Sequence, residues 1–230
     1  MRLAALREQV LEANLALARS GLAPGTFGNA SGIDRGAGVV AIKPSGVSYA
    51  RLTAGKLVLT DLEGNVVEGE LRPSSDLPTH LALYRAWGAI GGVAHTHSEY
   101  ATTWAQAGRA IPCLGTTHAD HYPGPVPITA WLTEEAIAGA YERETGAAIV
   151  QALAGMDPAA VPGALVRGHG PFCWGRHALA AAEEAVALEM IAKLAYQTLH
   201  LEAAAQPLER GLHEKHFRRK HGPSAYYGQP

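Results

Sequence analysis

The stretch "GGVAHTHSEYAT" (91–102) sets two histidines, His95 and His97, behind a short run of small apolar residues. "GGVAHTH" (91–97) reads as a strand, and a strand sends residues i and i+2 to the same side, so the two imidazoles can converge. Just upstream, "SSDLPTHLALYRAW" (74–87) opens with cap-type residues and a proline, then turns amphipathic. That pattern predicts a helix starting near Ser75 or Asp76. A helix feeding a strand at this point argues for an α/β fold.

The alternation continues outward. Residues 2–19 carry Leu3, Leu6, Val10, Leu11, Leu15 and Leu17 near a helical period, with Gly21 as a stop. From 26 to 72 the texture is β-prone: "VVAIKP", "KLVLTDL" and "NVVEGE", separated by glycine-containing turns. "LTEEAIAGAYERETGAAIVQAL" (132–153) predicts one or two helices with Thr133 as cap, and "GALVRGHGPFCWG" (163–175) a strand and turn. Residues 177–204 predict the longest helix, with Leu179, Val186, Met190 and Leu194 along one face. There is no repeat and no linker. We expect one α/β domain over 1–230, with helices on both faces of a central sheet.

Composition narrows the function classes. Of 230 residues 47% are hydrophobic and 17% charged, and 19 Lys plus Arg nearly balance 21 Asp plus Glu. That balance lacks the basic surplus of a nucleic-acid binder. No segment reaches the roughly 18 consecutive apolar residues of a membrane span. Arg7, Glu8 and Glu12 interrupt the N-terminal apolar run, so no secretory signal is read there. Cys113 and Cys173 are sixty positions apart without a C-x-x-C, as expected of reduced thiols in a cytoplasmic protein. The eleven histidines are the anomaly, gathered largely around 95–97, 118–121, 169–177 and 213–221.

Two imidazoles do not close a metal site, since zinc takes three or four N, O or S ligands. Asp76 at its helix mouth and His169, with glycine on either side, are candidates for the remainder. Core histidines that merely hydrogen-bond are the favoured reading of H-x-H by itself, and Asp76 with His169 brings the metal reading level with it. Three stretches have the texture of an anion cradle: "GTFGNASG" (25–32), "KPSGV" (43–47) with Lys43, and "PSSD" (73–76) at a helix N-terminus. Neither a nucleotide P-loop nor a G-x-G-x-x-G is present, which favours a phosphorylated small molecule.

Seven motifs then resemble one family in order: "GNASGID", "IKPSGVSY", "PSSDLPTHLALYRAW", "GGVAHTHSEYATTWAQAG", "IPCLGTTHAD", "VRGHGPFCWG" and the terminal "YYGQ". Over nearly the whole chain the sequence is similar to the L-ribulose-5-phosphate 4-epimerases of the class II (metal-dependent) aldolase/epimerase superfamily. The resemblance implies a three-layer α/β/α sandwich around a largely antiparallel sheet. It also implies a homotetramer with active sites between subunits. It implies metal ligation by Asp76, His95, His97 and His169, with Zn2+ as the ion and Mn2+ or Co2+ also suited to N/O ligands. It assigns substrate and phosphate contacts to Gly28, Asn29, Lys43, Ser45, Gly46, Ser74 and Ser75. The acid/base pair it implies is Asp120 and Tyr227, the latter carried by a C-terminal tail (213–230) that orders over the site, where composition alone suggests a frayed end. Arg167 and Gly168 depart from the pattern, which has a bulkier polar pair before His169.

The implied reaction interconverts L-ribulose 5-phosphate and D-xylulose 5-phosphate, a pentulose phosphate supplied by arabinose or ascorbate breakdown. C4 lies one carbon too far from the C2 carbonyl for enolisation, so inversion there calls for breaking and remaking the C3–C4 bond. A sugar-phosphate aldolase of the L-fuculose-1-phosphate type shares fold, metal and cleavage step but releases its aldehyde. Such aldolases usually carry a glutamate base where this chain has Asp76. An adducin-like interaction head is a third reading, disfavoured because such heads lack the histidine set.

Overall fold

The computed structural model describes residues 3–222 and 225–228. Residue 2, where the first expected helix begins, and Pro223, Ser224, Gln229 and Pro230 of the expected tail lie outside the described residues. Helix α1 (Ala4–Arg19) precedes four strands, β1 (Asn29–Asp34), β2 (Val39–Ile42), β3 (Val58–Asp61) and β4 (Val66–Glu68). Then follow α2 (Leu77–Ala86), β5 (Gly92–His95), α3 (Glu99–Ala107), α4 (Thr116–Ala119), α5 (Glu134–Ala138) and α6 (Tyr141–Ala152). The chain continues through β6 (Gly163–Val166), β7 (Gly170–Gly175), α7 (Ala178–Leu201) and α8 (Arg210–Lys220). The strands form one seven-stranded sheet in the order β4-β3-β2-β1-β5-β7-β6. Every strand pair in it is antiparallel.

Strand alternation sorts the two faces. On β1, Ser31 turns to α2, its hydroxyl 2.7 Å from His80 Nδ1 and 2.8 Å from the Tyr84 hydroxyl. Its neighbour Gly32 turns to the opposite face, where an added Cβ would lie 2.9 Å from Val10 of α1 and 3.4 Å from Ala178 of α7. Gly32 pairs with Gly92, and Gly92 with Gly175, so three glycines line up across β1, β5 and β7. A Cβ on Gly92 would meet the Ala178 backbone nitrogen at 2.4 Å, and one on Gly175 the Ala180 side chain at 2.8 Å. This lane lets the N-terminus of α7 rest directly on the sheet. With α1 and α7 on one face and α2 with α6 on the other, the layers are helix, sheet, helix, as expected.

The core includes Leu17, Ile42, Leu57, Leu59, Phe172 and Trp174, all essentially inaccessible. Each such side chain contributes roughly 1.5–3 kcal/mol by leaving water. Arg7 of α1 is buried as well; its guanidinium donates to the carbonyl oxygens of Ala54 and Leu57 and to Glu68, tying α1 to the β3–β4 edge.

Several local expectations change. The strand expected over 91–97 ends at His95, and His97 stands in the link to α3. Residues 29–32, read as part of a turn, form β1, so only 25–28 remain turn. "GALVRGHGPFCWG" is a hairpin of two strands with His169 at its bend. The face of α7 bearing Val186, Met190 and Leu194 is exposed, at 38%, 56% and 45%. The buried face is instead alanine-rich, with Ala178, Ala181, Ala182, Ala185 and Leu188, because the close approach to the sheet admits only small side chains there. Thr133 does cap α5, accepting from the Ala136 amide. Among the described residues, no helix is long and apolar enough to cross a membrane.

Candidate active site

His95, His97 and His169 meet where β5 ends beside the β6–β7 bend. Their ligand-type nitrogens all lie within 4.8 Å of one another. His95 is wholly buried, stacked on Phe172 at 4.1 Å between ring centres. Its Nδ1 is 2.9 Å from the carbonyl oxygen of Pro171, which can only accept, so Nδ1 carries the proton and Nε2 keeps its lone pair. That lone pair points to His97 Nε2, 3.1 Å away. Burial pushes the His95 pKa down to about 3, with Asp76 acting against it and the other two histidines with it. Burial likewise lowers His169. Neutral imidazoles with converging lone pairs are the donor set a divalent ion needs, so the residues present fit a metal.

Asp76 occupies the position before α2, but its side chain caps no helix amide. It turns into the same cleft and accepts from Asn29 Nδ2 at 2.6 Å. Burial pushes its carboxyl pKa up, but nearby His95 and His80 and the Asn29 amide outweigh that and leave it below the usual value. Behind it lies a buried chain: Tyr84, Ser31 and His80, whose Nε2 has no hydrogen-bond partner among the described residues.

The cleft extends from Asp76 to Lys43 and the 26–28 turn. Lys43 is buried, its ammonium 3.1 Å from the Thr26 carbonyl oxygen and 5.0 Å above the Tyr49 ring. Burial lowers its pKa, and Asp76 partly restores it. The Tyr49 hydroxyl sits 2.8 Å and 2.9 Å from the carbonyl oxygens of Phe27 and Gly28. Drawing these carbonyls toward Tyr49 turns the intervening Gly28 N–H the other way, since a peptide's two polar groups oppose each other. Gly28 itself has φ 69°, and a Cβ there would lie 2.8 Å from the His95 carbonyl oxygen, so the turn demands glycine. Ser45, Gly46, Ser74 and Ser75 complete the lining, and the whole cleft encloses about 470 Å³.

Asp120 and Tyr227 are brought together, but elsewhere. Neither lines the cleft. Asp120, at the end of α4, takes both arms of the Arg219 guanidinium, with Nε at 2.8 Å, and lies 3.1 Å from His216 Nδ1. Burial would raise its pKa, but these partners and Lys220 hold it below the usual range. The Tyr227 ring packs under Arg219 (5.1 Å) and Lys220 (4.7 Å) and is 62% exposed. The described part of the tail is therefore ordered against α4: His221 reaches the Asp120 carbonyl oxygen and His213 that of Tyr122.

Sequence reasoning missed Tyr141, Glu142, Tyr49, the Pro171 carbonyl and Glu189. Tyr141 and Glu142 line the cleft from the start of α6, and the Tyr141 hydroxyl is 3.0 Å from His169 Nδ1. Tyr49 and the Pro171 carbonyl shape it from behind. Glu189 of α7 accepts from the Tyr100 and Ala101 amides, capping α3 immediately after His97. The Arg167–Gly168 departure has a local partner: Arg167 stacks over Trp131 at 5.0 Å, and a Cβ on Gly168 would lie 2.7 Å from that ring.

The chain is 51% identical over 97% of its length, and 98% of the relative's, to L-ribulose-5-phosphate 4-epimerase UlaF of Salmonella paratyphi C (strain RKS4594). Its structure is similar to L-fuculose 1-phosphate aldolase (TM-score 0.76, 25% identity, 94% of this chain and 95% of that one). It shares the fold of an aldolase II superfamily protein from Pseudomonas syringae (TM-score 0.77, 18% identity, 96% and 88% covered). Residues 8–196 match the family model described as the class II aldolase and adducin N-terminal domain, and this chain belongs to that family.

Proposed function

We propose that this protein is a cytoplasmic, metal-dependent L-ribulose-5-phosphate 4-epimerase, working as one class II aldolase/epimerase domain. The observation that carries the reading is one cleft that holds a three-histidine cluster together with Lys43 and the hydroxyls of Ser45, Ser74 and Ser75. His95, His97, His169 and Asp76 would hold a divalent ion, zinc in our reading, which would supply Lewis-acid chemistry toward the sugar's oxygens. Lys43, Ser45, Gly46, Ser74, Ser75 and the Gly28–Asn29 turn hold the phosphate. That leaves the three-carbon half fixed while only the small aldehyde turns.

Asp120 and Tyr227 serve as the proton-transfer pair, one on each face of that aldehyde, moving the proton of the C4 hydroxyl. Since neither lines the cleft of its own subunit, we infer that a neighbouring copy supplies them, in a homotetramer with sites between subunits. The exposed Val186, Met190 and Leu194 stripe of α7 suits burial against another copy. An aldolase of the L-fuculose-1-phosphate type is the second reading, favoured by the structural similarity to such an enzyme. Incubating the zinc-loaded protein with L-ribulose 5-phosphate tests both. D-xylulose 5-phosphate without free dihydroxyacetone phosphate supports the epimerase, and triose phosphate as main product would replace it with the aldolase.

A further inference from the structure

The side chain of Tyr141 bears on His169 in two ways. Its hydroxyl oxygen is 3.0 Å from Nδ1, and its ring lies nearly parallel to the imidazole, at 19° and 6.2 Å between centres. With Nδ1 engaged, Nε2 is the nitrogen His169 has left to offer to the cluster with His95 and His97. A nitrogen that ligates carries no hydrogen, so the proton of a neutral imidazole must then sit on Nδ1. An Nδ1–H needs an acceptor, and the Tyr141 oxygen is the one in place.

His95 shows the same logic with a different acceptor, since Pro171 O fixes its proton on Nδ1 unambiguously. The Tyr141 hydroxyl, by contrast, is able to donate or accept, so His169 is the ligand whose tautomer is open until an ion binds. Once Tyr141 accepts from Nδ1–H, its own hydrogen turns away from His169.

We propose that Tyr141 is a positioning residue of the metal centre: its hydroxyl accepts the Nδ1–H of His169 and so holds Nε2 toward His95 and His97. Outer partners of this kind change metal affinity by about ten- to hundredfold. The inference rests on the three-histidine metal reading, not on which sugar-phosphate reaction follows.

The test uses zinc alone, titrated into metal-free full-length protein by competition with a chelating indicator, so no turnover is involved. Tyr141→Phe should weaken zinc binding by about ten- to hundredfold relative to wild type. In parallel, ¹⁵N NMR of the zinc-loaded wild type should show His169 protonated at Nδ1. Unchanged affinity in Tyr141→Phe, or His169 protonated at Nε2 in the loaded wild type, would overturn the proposal. If the variant folds poorly, the tautomer measurement can still overturn the proposal, since an unprotonated Nδ1 leaves the Tyr141 oxygen nothing to accept. A wild type that binds no zinc at all would instead overturn the metal reading beneath it.

Discussion

The Nε2 atoms of His95 and His97 stand 3.1 Å apart, with the Nδ1 proton of His95 committed to the Pro171 carbonyl. Two imidazoles sharing one ion at about 2.0–2.1 Å would have nitrogens roughly 2.9–3.4 Å apart, so this pair is preset for a common ion. His97 is the exposed member and contributes little to the core. His97→Ala should therefore stay folded and lose bound metal, as measured by elemental analysis after dialysis. Full metal content in that variant would remove His97 from the ligand set.

Lys43 is buried beside the 26–28 turn and, among the described residues, has no carboxylate partner within ion-pair distance. A charged hydrogen bond to phosphate is worth about 1.5–3 kcal/mol, or roughly ten- to hundredfold. Lys43→Met should raise the KM for a pentulose phosphate by that factor and abolish competition by inorganic phosphate. A phosphate inhibition constant equal to that of wild type would place the anion elsewhere.

Tyr227 lies outside the cleft of its own chain, against Arg219 and Lys220. Tyr227→Phe should keep the full metal complement, since the histidine cluster is untouched, while epimerisation falls by roughly 10²–10⁴. An undiminished rate would discard its role as a proton-transfer group.

His80 is completely buried, and burial pushes its pKa down to about 4, with Asp76 acting against the shift. An unfolded histidine takes up its proton near 6.5, so between about 6.5 and 4 the unfolded state binds more protons and stability falls as pH falls. Above that window both states are neutral and this contribution is fully present. The full loss is about 3 kcal/mol for this one group. Urea midpoints measured from pH 7 to pH 4 should drop accordingly, with a shallower drop in His80→Gln. Identical slopes in the two proteins would assign the acid sensitivity to other groups.

Much of the site was legible because its residues announce themselves over short spacings. His95 ends a strand with His97 two residues on, His169 sits between glycines, and the 43–47 and 73–76 turns carry hydroxyls and a lysine. The antiparallel order of the sheet was less so: "GALVRGHGPFCWG" has no turn longer than the Arg167–His169 bend, and its two strands read as one. Tyr141 was illegible in principle, because a helix-opening tyrosine reveals nothing of an imidazole brought to it by the tertiary fold. The Pro171 acceptor is a backbone atom and leaves no trace in residue type. On α7 the larger apolar residues suggested the buried face, but the glycine lane beneath the helix leaves room only for alanines. The large residues therefore face outward.

Separation of the metal cleft from Asp120 and Tyr227 within one chain is the feature on which the functional account turns. The direct test is subunit complementation: His97→Ala and Asp120→Asn chains, each with its own tag, are co-expressed, and oligomers retaining both tags are assayed with L-ribulose 5-phosphate. Each parent should be inactive. The hybrid should regain part of the wild-type rate, because some interfaces join an intact metal cleft to an intact proton-transfer pair. Doubly tagged hybrids as inactive as their parents, or a protein that stays monomeric, would contradict the account.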